Sequence, residues 1–69
     1  MKGWVKPEKI YVQRHDTRLC YIIKEYKNDA GIRMCKVCYV RKVFRQYYKC
    51  LSEPFEVKKE NLLEIGLIL

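Results

Sequence analysis

Four cysteines, one histidine and a run of mixed basic and aromatic residues are the parts of this chain whose types and spacing could do chemistry. Cys20, Cys35, Cys38 and Cys50 contain one C-x-x-C, Cys35-Lys36-Val37-Cys38. Four thiolates can close a tetrahedral zinc site, and C-x-x-C supplies half of one. The second pair is missing here, because Cys20 and Cys50 each stand alone. On a regular strand, Cys35 and Cys38 would point to opposite faces; only a knuckle turn or a helix start would let them share a metal. Dithiol redox chemistry calls for a βαβ context that the sequence does not offer. The expectation is four reduced thiols packed as small apolar residues, with no metal and no cofactor. His15 lies in the polar stretch Arg14-His15-Asp16-Thr17 with no evident nucleophile beside it. The eight acidic residues are scattered and no glycine-rich phosphate loop exists. Nothing therefore supports catalysis, and the reading is non-enzymatic.

The stronger chemical signal is Ile32 to Leu51, which holds three of the four cysteines, four of the nine aromatic residues and six basic residues. No acidic residue falls within it; Asp29 precedes it and Glu53 follows. Residues 1–29 carry seven basic against four acidic residues, and residues 53–69 two against four, so most of the net charge of +7 lies between. Cations docking along phosphates and exposed rings stacking on bases are the two requirements of single-strand or RNA binding. Arg33, Lys36, Arg41, Lys42, Arg45 and Lys49 supply the first, interleaved with Tyr39, Phe44, Tyr47 and Tyr48. The predicted nucleic-acid-binding set is Arg33, Lys36, Arg41, Lys42, Arg45, Lys49, Tyr47 and Tyr48. Arg41, Lys42 and Arg45 come first, because they cluster whether the backbone there is strand or helix.

The elements that must position these groups read as follows. Met1 to Glu8 is a lead-in whose Trp4 folds over one end of the core. Lys9 to Gln13 alternates as a strand, and Arg14 to Thr17 is a loop. Arg18 to Lys27 is a second strand, apolar on parts of both faces. Asn28-Asp29-Ala30-Gly31 is a turn, with Gly31 free to take positive φ. It closes a hairpin with a return strand over Ile32 to Arg41. Beyond it the pattern doubles: Val43-Phe44 apolar, Arg45-Gln46 polar, Tyr47-Tyr48 apolar. Two readings fit. A helix over about 39–51 would align Val40, Val43, Phe44, Tyr47, Tyr48 and Leu51 on one stripe and pack on a β-hairpin sheet. A bulged or bent strand pair would double the pattern as well, and Val, Tyr, Phe and Cys favour it. Strands are the expectation and the helix the alternative. Phe55 to Lys58 is a short strand, Lys59 to Asn61 a turn, and Leu62 to Leu69 an apolar close.

At 69 residues, the chain is expected to form one domain spanning 1–69, too small for a deep catalytic cavity. Half its residues are apolar, which argues against disorder. The excess of positive charge points to anionic partners. MKGWVKPEKI has no apolar h-region and no run approaches a membrane span, so the expectation is a cytoplasmic chain without membrane contact or small-molecule substrate.

The short strand KIYV, the longer hairpin with its polar turn, and the close EVKKENLLEI come in an order that resembles small SH3-like barrels of the KOW and Tudor type. The resemblance spans roughly residues 4 to 66 and rests on strand order and length. It implies a mainly antiparallel β barrel that binds a partner: RNA, DNA or a protein tail. Nucleic acid is the leading partner. The alternative is a small protein-interaction module or inhibitor, of the sort mobile elements encode, that binds an acidic or nucleic-acid-binding surface of another protein.

Overall fold

A computed structural model describes residues 3–66 of the chain. Seven strands form one antiparallel arrangement: β1 (Trp4–Val5), β2 (Ile10–Gln13), β3 (Leu19–Lys27), β4 (Arg33–Phe44), β5 (Tyr47–Cys50), β6 (Phe55–Lys58) and β7 (Leu62–Ile65). A single turn of 3-10 helix, Lys59–Asn61, joins β6 to β7. The spatial order is β1-β5-β4-β3-β2-β7, with β6 also paired to β4. Among the described residues the sheet does not close into a barrel by a β1–β7 pairing. The mainly β, antiparallel class matches the expectation, and no element among the described residues is an α-helix. None is long and apolar enough to cross a membrane as a helix.

Strand β4 is the spine. Its twelve residues carry no glycine or proline and include three valines, two cysteines, a tyrosine and a phenylalanine, so nothing stops an extended run. The first half pairs with β3 on one edge, Cys35 opposite Glu25 and Val37 opposite Ile22. It pairs with β6 on the other edge, Cys35 opposite Val57 and Val37 opposite Phe55. The second half pairs with β5, Val40 opposite Cys50 and Lys42 opposite Tyr48. Between the two lies the insertion Leu51 to Pro54. The Leu51 N–H donates to the Tyr39 carbonyl (2.8 Å), and the Tyr39 N–H donates to Ser52 Oγ (3.1 Å), so the ladder is bridged across the proline kink.

A strand shared in this way buries both of its faces. Cys38 and Val40 join Ile10 and Tyr48 in one cluster, with Val5, Leu19, Tyr21 and Cys50 packed around it. Cys35 and Val37 join Leu62 in a second cluster on the opposite face, with Tyr11, Ile22, Phe55 and Val57. Each fully buried large side chain contributes roughly 1.5–3 kcal/mol, so two small clusters divide a modest total. A one-residue register shift between Ile22 and Lys24 in β3 bends the sheet around the second cluster.

The turns decide the ends. Asn28 organises the β3–β4 turn as expected: its Oδ1 accepts from the N–H groups of Ala30 (2.9 Å) and Ile32 (3.0 Å), and Gly31 takes φ +78°. The β4–β5 connection is tighter than the sequence suggests. Phe44 pairs directly with Tyr47, leaving Arg45-Gln46 as the whole loop, with Arg45 at φ +50°.

One alternative falls and two expectations are refined. The segment 39–51 follows the strand expectation, as two strands and a two-residue turn, and the alternative helix is absent. The proposed helical stripe is accordingly divided: Val40 and Tyr48 are buried, while Phe44, Tyr47 and Leu51 are exposed. The lead-in contains a strand, β1, whose Trp4 and Val5 pair with Lys49 and Tyr48. The apolar close is strand only over Leu62–Ile65; its last three residues, 67–69, lie outside the described residues.

Candidate nucleic-acid interface

The β4–β5 hairpin and β1 make a three-stranded ribbon that extends beyond the two clusters. Register fixes what its faces carry. Trp4, Lys49 and Arg41 lie side by side across the ribbon, and so do Val5, Tyr48 and Lys42. Tyr48 turns inward, 8% exposed, into the first cluster. Its alternating neighbours Tyr47 and Lys49 therefore turn outward. A register shift at Val43 rotates Phe44 to sit opposite Tyr47. Phe44 is 53% exposed, unusual for a phenylalanine, and the Arg45 guanidinium lies 5.3 Å from its ring centroid. On the other side of Tyr47, the Trp4 ring stands 6.2 Å away at 42°. Trp4, Tyr47 and Phe44 thus form an aromatic row on the outer face of the ribbon, flanked by Arg41, Lys49 and Arg45.

At the tip, Lys6, Lys42, Arg45, Gln46 and Tyr47 line an open cavity of about 480 Å³. Among the described residues no carboxylate lines it. Among the described residues, the ion pairs are Lys9–Glu64, Arg18–Asp16 and Lys59–Glu25, so Lys6, Arg41, Lys42, Arg45 and Lys49 have no acidic partner. An anion approaching the ribbon displaces water rather than a carboxylate.

The predicted residues are only partly brought together. Arg41, Lys42, Arg45, Lys49 and Tyr47 share the ribbon. Arg33 and Lys36 lie at the far end of β4, opposite Lys27 and Lys24 of β3. Nine residues of strand separate Arg33 from Lys42, up to about 30 Å, in a molecule with a longest dimension of 39 Å. That second basic end is mixed in sign: Lys36 also faces Glu56, and the cavity beside Arg33 is lined by Glu60 and by Lys59, already paired to Glu25. Tyr48 is core and its ring is not available for stacking. Tyr39 is held in place: Gln13 Nε2 donates to its hydroxyl (2.9 Å), the hydroxyl reaches Asp16 Oδ2 (3.4 Å), and the Arg18 guanidinium covers its ring at 4.1 Å.

Sequence reasoning missed Lys6 and the outward placement of Trp4. The signal was weak: a two-residue strand before Pro7, detectable only through its partner β5.

The thiols follow strand geometry. Cys35 and Cys38 belong to clusters on opposite faces, so the C-x-x-C does not chelate. Among the described residues no group of three or more potential ligands gathers. Burial pushes the thiols of Cys20 and Cys35 up, and Cys38 is pushed up to about 12 by burial and by the Cys50 thiol 3.0 Å away. His15 sits exposed in the β2–β3 loop at φ +66°.

Compared with known proteins, the chain matches no family model, no curated protein and no solved structure.

Proposed function

We propose that this chain is a non-enzymatic nucleic-acid-binding module that docks phosphates on the β1–β5–β4 ribbon. The supporting observation is the set of cations without acidic partners around an exposed aromatic row. Lys49 and Arg41 sit side by side next to Trp4 at the base of the row, Arg45 lies by Phe44 at its other end, and Lys6 and Lys42 line the cavity at the tip. Phosphate contacts of this kind supply affinity without sequence preference. We infer also that the coiled sheet, with one long strand shared between two halves, is of the SH3-like kind, opened between β1 and β7. The setting we infer is the cytoplasm, where buried thiols stay reduced.

Titration against single- and double-stranded DNA and RNA at low salt tests the reading. Binding tighter than about 100 μM that weakens steeply with salt is expected. No binding to any of the four at that level overturns it.

A second reading has its own observation. Strand β7 ends the sheet, and Leu63 and Ile65 on it are exposed, so a partner protein could add to that edge. Recovery of the same protein partner from extract before and after nuclease treatment would favour it.

A further inference from the structure

Resting on the nucleic-acid reading above, we infer that the cavity at the ribbon tip holds one unpaired nucleotide of a DNA or RNA strand. Its phosphate lies toward Lys6, Lys42 and Arg45, its base lies against Tyr47, and Gln46 meets the base edge.

Four features converge on this ligand. The first is size: about 480 Å³ lies within the range of small-molecule sites, roughly 300–1,000 Å³, and is larger than a bare phosphate requires. The second is charge. Among the described residues three cations and no carboxylate line the cavity, so the occupant is an anion. The third is the remaining lining, which a bare anion leaves unused. Tyr47 offers a flat ring, and the Gln46 amide offers a donor and an acceptor side by side, the pattern that pairs with a base edge. The fourth is the neighbouring ring. Phe44 stands opposite Tyr47 with half its surface in solvent, and Arg45 both lines the cavity and covers the Phe44 ring. A strand leaving the cavity therefore meets a second stacking platform at the next base.

The same geometry disfavours a duplex. Paired bases have their faces covered by neighbours and cannot stack on a side chain without being extruded. Trp4 packs beside Tyr47, its ring tilted at 42° with centroids 6.2 Å apart, and supports that ring on one side.

The test uses the full chain and a labelled eight-nucleotide strand, as DNA and as RNA, against duplexes of the same sequences in 50 mM salt. The single strand should bind at least tenfold more tightly than the duplex, and the DNA and RNA arms identify the source. A nucleoside monophosphate should compete at a concentration at least tenfold below inorganic phosphate. Tyr47→Ala should weaken single-strand binding roughly tenfold or more, the scale of one lost base stack, while Tyr47→Phe retains it. Gln46→Ala should flatten preferences among homopolymers with little loss of overall affinity. Equal binding of single strand and duplex, or equal competition by phosphate and monophosphate, overturns the nucleotide site and leaves phosphate docking on the ribbon intact. Absence of binding to every nucleic acid overturns both. The competition arm uses the unmodified chain, so it decides the matter even if Tyr47→Ala does not fold.

Discussion

Asp16 shows how much one carboxylate organises in a chain this small. Its Oδ1 accepts from the N–H groups of Thr17 (2.7 Å) and Arg18 (3.0 Å), and its Oδ2 accepts from Arg18 Nη2 (3.0 Å). Together with the Gln13–Tyr39 bond, this ties the β2–β3 loop to the spine strand. The Arg18 side chain, then its backbone N–H, hold the Asp16 carboxyl at about 2, below its ordinary 3.8. A carboxyl whose folded value is depressed stabilises the fold fully above the unfolded value and loses that effect as pH falls through the folded one. The Asp16 contribution should thus be complete above about pH 5 and be lost progressively toward about pH 1. Urea midpoints of the native chain and Asp16→Asn should differ at pH 6 and draw together as pH falls through 2; a gap as wide at pH 2 as at pH 6 refutes the assignment. Cys20, Cys35 and Cys38 behave oppositely. Burial disfavours their thiolates, which keeps Cys38, beside Cys50, a neutral, packing side chain at neutral pH.

The β4–β5 hairpin is the element on which both the fold and the candidate site turn, and it was the least legible from sequence. Strands β2, β3 and β6 alternate and are bounded by polar turns, so period alone located them. The β3–β4 turn announced itself through Asn28 and Gly31. The β4–β5 turn has no glycine, asparagine or proline: Arg45 takes the left-handed backbone, where an L-residue costs about 1–2 kcal/mol. The register shift at Val43 then doubles the apolar pattern until it imitates a helix. Only pairing with β1 and β5 resolves it, and pairing is a long-range fact that residue types do not carry. The hairpin makes a sharp distinction between its rings. Tyr48→Ala should cost about 3 kcal/mol or more, since it empties a site in the first cluster. Phe44→Ala, at an exposed position, should change stability by less than about 0.5 kcal/mol. Thermal or urea unfolding of the two variants checks this; a helical segment 39–51 would make both rings core and both losses large.

At the scale of the whole molecule, the question is whether binding follows the net charge of +7 or a local arrangement of it. The sequence showed where the charge is concentrated but not that a spine strand would carry it to two ends. Arg41, Lys42, Arg45 and Lys49 gather at the ribbon with Lys6, whereas Arg33 and Lys36 lie among Glu56, Glu60 and other lysines. A separation of up to about 30 Å exceeds the Debye length of about 10 Å at 0.1 M salt, so the two ends act independently under ordinary conditions. Each phosphate contact to a single strand contributes about 0.7 to the slope of log affinity against log salt. Replacing Arg41 and Lys49 by glutamine should therefore lower that slope by about 1.4 and weaken binding throughout. The paired change at Arg33 and Lys36 removes the same two charges and should leave the slope nearly unaltered. Measured side by side, the two variants separate the alternatives. Equal losses would mean that the chain binds through its overall field, with no preferred face; a loss confined to Arg41 and Lys49 locates the phosphates on the ribbon.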